Sequence, residues 1–530
     1  MTRSFNLLDE PWIPVQFSGG ERREVGLLEL FNRANDITTL TETSPPNLIA
    51  LYRLLLAMTH RALVQAKGSW KDKDRADWYR RGLPLDALSG YLEQWRDRFW
   101  MFHPEHPFMQ VAALANADET RDKTKPWTQI TLDSANGNAP VVFDHSVDAA
   151  PIAISPAQAL RNLLGFLQFT PGGLVKVIRG SDKAGALANT AATVPLGQTL
   201  NQTLCLALHP SSRASEFDLP AWECVPPSLA ALSADSRLAT GPCDRYTRQS
   251  RAVLFLRDDN AAGIRHIRFA AGLALAEDTN APDPMASYRI GTNGPVRVSF
   301  TEGRAVWRDL PSLMPDISGQ HAIPASILAW AATLHETMGT WDAEVPVLVA
   351  GMASDKAKLL RWRSERFVLP APLLLNPDAG LQLRLHLKAT DDAWFRLRGI
   401  ATEMIAETMP DPASKDTRTR ARAVLDAGPC PAVYFANAER ALPHLMRRIA
   451  SGDIDEADSQ WRGTLAASAQ AAWDATYRSQ GQSAEAIRAE AQVHFKLRLL
   501  LRELRRKETA VSTEPAGKVK SDVQAEEVYP

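Results

Sequence analysis

The chain has 530 residues, 45% hydrophobic and 23% charged, enough apolar material for a large buried core and, at roughly 100 to 200 residues per domain, for two to four domains. Its 60 Lys and Arg balance 61 Asp and Glu for a formal net charge of -1, which excludes a polycation that coats nucleic acid by bulk attraction and makes any such contact local. The four cysteines, Cys205, Cys224, Cys243 and Cys430, form no C-x-x-C pair, which argues against a disulfide framework and a zinc ribbon and favours a reducing, cytoplasmic compartment.

Residues 1–20 carry Asp9, Glu10 and two prolines where an export signal has an unbroken apolar run, so none is expected. Phe5 to Val15 alternates around Pro11 and Pro14 and continues through Gly19-Gly20, which predicts a strand or hairpin. Pro45-Pro46 opens an amphipathic helix to about Lys67, with Leu48, Leu51, Leu55, Met58 and Ala62 on one face. Its most apolar stretch, Leu48 to Met58, is shorter than the ~20 residues of a membrane span and is interrupted by Arg53, so no bilayer crossing is expected. A second helix is expected over Pro84 to Trp100, and a solvated loop over Asp118 to Lys125. Ser155 is a candidate N-cap for a helix from Pro156 to Gln168, which stops at Thr170-Pro171-Gly172-Gly173.

Between Cys205 and Ser312 the pattern predicts short strands, at Ala252–Arg257, Gly263–Phe269, Val296–Phe300 and Ala305–Arg308. A helix is expected at Pro324–Met338 and strands at Val345–Ala350 and Phe367–Leu375. Beyond about Thr390, Gly becomes sparse and Ala and Arg dense, with helices expected at Asp391–Met409, Ala432–Ala450, Asp455–Arg478 and Ala484–Lys507, the pattern of an antiparallel bundle. A boundary near 375–388 gives a mixed α/β domain over 1–380, a helical bundle over 381–507 and a disordered tail over 508–530.

Chemistry-bearing motifs are few. Phosphate-binding and nucleophile-elbow signatures are absent from the sequence. His103, Glu105 and His106 suggest a metal-dependent hydrolase, the alternative to a binding protein, yet Pro104 and Pro107 prevent the helical face on which such ligands converge. A turn that packs Phe108 and Met109 into the core accounts for the segment, and no catalytic residue, metal or cofactor is expected. Three features suggest nucleic-acid contact: Gly172 and Gly173 with Lys176 and Arg179 beyond, the small-residue turn Gly351–Lys358 followed by Arg361, Arg363 and Arg366, and the last helix, where seven cations face three Glu, net +4. A helix C-cap, a solvated face and dipole complementation are their structural readings.

Phe5-Asn6-Leu7-Leu8-Asp9-Glu10-Pro11-Trp12-Ile13-Pro14-Val15, with His106-Pro107-Phe108-Met109-Gln110 about ninety residues on, resembles the CasA family, the large subunit of the type I-E CRISPR surveillance complex called Cascade. Val142-Phe143-Asp144-His145, Pro171-Gly172-Gly173 and Ala350-Gly351-Met352 follow in the family's order, and the likeness spans nearly everything but the tail. The resemblance implies an α+β fold, a large mixed α/β N-terminal domain followed by a C-terminal four-helix bundle. It implies a non-catalytic subunit that meets guide RNA and the other Cascade subunits, recognises a protospacer-adjacent motif on double-stranded target DNA, promotes strand separation and R-loop formation, and recruits a helicase-nuclease. Gly172, Gly173 and Lys176 match its glycine loop. Ser354, Asp355 and Lys356 match its wedge, with Lys356 where a glutamine is often found. Phe143 and His145 match its contacts to the guide RNA or the neighbouring subunit. The family's motif-reading lysine has no counterpart between Ala270 and Met285, where Arg268, Arg289 and Arg297 are the nearest cations.

Overall fold

A computed structural model describes residues 3–132, 148–173, 175–257, 263–355 and 358–506, with the backbone alone at 213, 353–355 and 358–361. The expected tail and the positions Phe143, His145 and Lys356 lie outside the described residues. The contacts divide the chain into two compact units, Met1–Leu387 with Met446–Asp453, and Lys388–Leu445 with Ile454–Pro530.

The first unit is built around the helix Pro45–Lys67, buried on every side from Pro46 to Val64. Its run of Leu, Ala and Met has high helix propensity, and Pro46 near its start needs no intrahelical N–H. A helix buried all round must still place its polar residues. Arg53 therefore pairs with Asp283 at 2.9 Å, both side chains fully buried, and Arg61 pairs with Glu223 at 2.7 Å. Against this helix packs Pro156–Phe169, whose Ser155 hydroxyl accepts from the Gln158 amide at 3.2 Å, the expected N-cap.

Small antiparallel sheets surround these helices. Ile13–Phe17 lies between Arg22–Val25 and Ile37–Leu40. Ile264–Ala271 lies between Lys125–Pro126 and Arg251–Arg257. The longest pair, Glu344–Asp355 with Lys358–Pro370, adds Ala191–Pro195 on the free edge of Glu344–Asp355.

Several expectations are corrected. Ser4–Asn6 pairs with Trp100–Phe102 rather than with its sequence neighbour. Ala305–Arg308 joins a 3-10 turn over Val306–Ser312, and the strand from Lys358 ends at Pro370, where Ala371–Leu375 turns helical. The Pro84–Trp100 helix stops at Gln94 and continues as a 3-10 turn. Helices Asp72–Arg81 and Lys415–Ala427 have no counterpart among the expected elements because both are mostly polar and carry too few apolar residues to mark a helical period.

The second unit is helical, with Lys415–Ala427, Ile454–Ser479 and Ala484–Arg505 and the parts of Pro377–Ala406 and Pro429–Ala450 that fall within it. Tyr434 donates to the Thr390 carbonyl at 2.9 Å and Trp461 donates to the Thr390 hydroxyl at 3.2 Å, inside a core that includes Leu397, Trp473 and Leu497. Lys496 binds Glu403 at 2.6 Å and Arg396 pairs with Glu503. One cation of the basic last helix is thus engaged within the unit by a half-exposed ion pair.

Candidate nucleic-acid interface

The chain leaves the helix Pro156–Phe169 at Thr170, and the described residues 171–173 and 175–184 form a strap whose two ends meet. A side chain on Gly172 would place Cβ 2.9 Å from the Ala184 amide, closer than real contacts allow, and Gly173 has φ +85°, a region L residues rarely adopt. Glycine is therefore dictated by backbone approach at Gly172 and by the left-handed backbone conformation at Gly173. Gly173 donates to the Asp182 carbonyl at 3.3 Å. Gly173 and Lys176 are exposed and Gly172 is half-buried, so the expected loop lies at the surface.

The second candidate is a hairpin rather than an extended turn, because Gly351 to Asp355 remains strand and pairs down to Asp355 opposite Lys358. The expected turn over 351–358 is thus shorter than its composition suggested. Gly351 permits the strand Ala191–Pro195 to close on it, since a Cβ there would lie 2.2 Å from the Thr190 carbonyl oxygen. Ser354 and Asp355 occupy the last rungs of the hairpin.

Trp362, which pairs opposite Met352, was not singled out in the sequence. Its indole N–H donates to the Leu132 carbonyl at 2.9 Å, and its ring meets Phe169 edge to face at 6.2 Å. Phe169 ends the helix that leads into the glycine strap, and Leu132 precedes the segment that carries Phe143 and His145. One side chain therefore joins three segments that are 37 to 230 residues apart in sequence. A lone Trp in a basic strand carries no periodicity signal in the sequence.

The cations nearest in sequence to Ala270–Met285 differ in engagement. Arg297 donates to the Ala186 carbonyl at 2.8 Å and to both Glu277 oxygens at 2.9 Å. Arg268 donates to the Arg121 carbonyl at 2.8 Å. Arg289, on the short hairpin Tyr288–Gly291 with Gly294–Arg297, is exposed.

Two groups of possible metal donors occur among the described residues. The first is Asp97, His103 and His106, without Glu105; His106 Nε2 lies 2.8 Å from Asp97 Oδ2, and His103 Nδ1 accepts the backbone N–H of both Glu105 and His106 at 3.1 Å. An acceptor Nδ1 in a neutral ring puts the proton on Nε2 and leaves no lone pair there for a metal. Glu105 is exposed, while Phe108 and Met109 are buried. The segment thus forms the packed turn expected of it. In the second, His60 and His209 stack at 3.5 Å and 14°, with Cys243 Sγ 3.6 Å from His60 Nδ1. Lone pairs lie in the ring plane, so two nearly parallel rings do not converge on one ion. Burial pushes His209 down to about 3 and His60 well below the ordinary imidazole range, which keeps both neutral.

The CRISPR-associated protein Cse1 family matches residues 6–472. A CRISPR-associated protein CasA/Cse1 of Thermus thermophilus is 34% identical over 514 residues, 94% of this chain and 98% of that protein. The solved structure of Thermus thermophilus CasA (Cse1) is 32% identical, with a TM-score of 0.79 over 95% of this chain and all (100%) of that one. A chain of a CRISPR RNA-guided surveillance complex, 19% identical with a TM-score of 0.72 over 94% of this chain and 100% of its own, shares the fold. The mixed α/β region with its small sheets and the helical C-terminal region match those structures. From its sequence and its fold alike, the chain belongs to the CRISPR-associated Cse1 (CasA) family.

Proposed function

We propose that this chain is the non-catalytic large subunit of a cytoplasmic type I-E RNA-guided surveillance complex, and that it reads a protospacer-adjacent motif on double-stranded DNA, opens the duplex and recruits the helicase-nuclease. In such a division of labour, guide pairing supplies the long sequence specificity. The heteroduplex formed is about as stable as the duplex it replaces, so a few protein contacts tip the exchange. The glycine strap suits approach to a narrow minor groove, where the base pattern is degenerate and backbone can come close. Lys176 would meet a phosphate, and the hairpin end at Ser354, Asp355 and Lys356 would enter below the motif. Phe143 and His145 would face the guide RNA or the adjoining subunit.

The observation that carries this reading is Trp362, which ties the wedge hairpin to the helix that ends at the glycine strap. A motif reader and a strand-parting element need a fixed mutual distance of a few base pairs, and a shared rigid base provides it. The test is the double substitution Asp355→Ala with Lys356→Ala in the assembled complex. It should leave subunit incorporation unchanged and slow R-loop formation on a matched target at least tenfold. R-loop formation at the wild-type rate would remove the hairpin end from the mechanism.

A further inference from the structure

The glycine strap is held from beneath by a buried ion pair that takes no part in any sequence motif. Arg251 begins the strand Arg251–Arg257, and its side chain is 1% exposed, as is that of Asp182, its partner at the far end of the strap. The guanidinium donates to the Lys183 carbonyl at 2.6 Å, to the Ser250 carbonyl at 2.8 Å and to the Pro171 carbonyl. Pro171 and Lys183 are opposite ends of the strap, so one planar fork closes the loop. Farther out, the Val177 carbonyl accepts from the Ala271 amide at 3.2 Å, and Arg179 donates to the Ala234 carbonyl. Val177 and Ile178 pack on the core cluster of Val111, Leu114, Leu232, Ala252, Leu254 and Ala270. Ile178 does so at φ +72°, a conformation unfavourable for a β-branched residue that persists only where the surroundings impose it.

We infer that Arg251, with Asp182, is a positioning residue for duplex recognition: it fixes the glycine strap in its binding shape before DNA arrives. This rests on the reading of the strap as a motif-reading element. Burying a charge pair here costs desolvation and offers little net stability over apolar replacements. What it provides that an apolar pair cannot is simultaneous bonding to two carbonyls of one loop, with directions fixed by the guanidinium plane. A strap held in this way loses little conformational freedom on binding, whereas a loose one must be ordered at that moment and binds more weakly.

The experiment uses the complete complex with its guide. Arg251→Met together with Asp182→Leu removes the clamp without leaving an unpaired buried charge. Arg251→Lys keeps the charge and loses the fork. Both variants should incorporate normally and keep the wild-type melting temperature. Amide exchange at Gly173 should accelerate, and affinity for motif-bearing duplex should fall about tenfold. Affinity for a target already opened across the guide-matched region should stay at the wild-type value, which a merely structural defect would not allow. Gly172→Val is measured beside them. If it weakens duplex binding and the clamp variants do not, the positioning role is overturned and the strap reading stands. If none of the variants weakens duplex binding, both fall.

Discussion

Lys176 shows how much of the proposed interface depends on single side chains. With a net charge of -1 over the whole chain, duplex affinity must come from a few local cations, each of which releases condensed counterions when it meets a phosphate. Lys176→Ala should therefore lower the slope of log affinity against log salt by about 0.9 for the complex, the value for one phosphate contact on duplex DNA. An unchanged slope would place Lys176 away from the backbone. Sequence reading found Lys176 because its neighbours Gly172 and Gly173 mark a backbone-exposing loop. It did not find Arg251, Asp182 or Trp362, because nothing local distinguishes a buried arginine or a bonded indole from an ordinary one.

At the scale of elements, Trp362 links a hairpin to a helix end. Trp362→Ala deletes the indole bond to Leu132 and the contact to Phe169. It should lower stability by about 2 kcal/mol, below the full cost of truncating a completely buried aromatic because the residue is half-buried. Trp362→Phe keeps the ring contact and should recover most of that loss. Chemical denaturation of the variants tests the ranking, and equal melting of the Ala and Phe forms would contradict it. The elements best read from sequence were those with a long apolar period, Pro45–Lys67 and Pro156–Phe169. Asp72–Arg81 was missed because its fold-defining residue is polar: buried Arg75 donates to the carbonyls of Cys205 and Trp330 at 3.2 and 2.8 Å. Ala371–Leu375 was read as strand because a short apolar run has no period of its own.

For the molecule as a whole, buried histidines make stability depend on pH. His209 is held down to about 3 by burial and the nearby Arg75 charge, and burial likewise lowers His60 and His103. Above the unfolded value of about 6.5 both states are neutral and the groups contribute no pH dependence. Below it the unfolded chain binds protons that the folded chain refuses, so stability falls as pH drops from about 6.5 toward 3. His209 alone should remove about 2 kcal/mol between pH 7 and pH 5. Urea unfolding at the two values measures the loss, and His209→Phe should shrink it by that amount. A stability independent of pH over this interval would mean that His209 reaches solvent.

Composition and period alone determined that this is a mixed chain with a long helix from Pro45 and a helical C-terminal region, because those properties are local sums over neighbouring residues; that the Pro45–Lys67 helix is buried on every side rather than along one face was decided by the tertiary structure. The order of short motifs identified the family and pointed to the glycine loop and the hairpin, since tight backbone approach leaves its mark in glycine. Only the tertiary structure decided which buried charges meet, that Arg251 closes the strap, and that Trp362 brings the strap helix and the hairpin together. Those contacts join residues 68 to 230 positions apart, and a pairing energy between distant residues has no signature in the local pattern of either one.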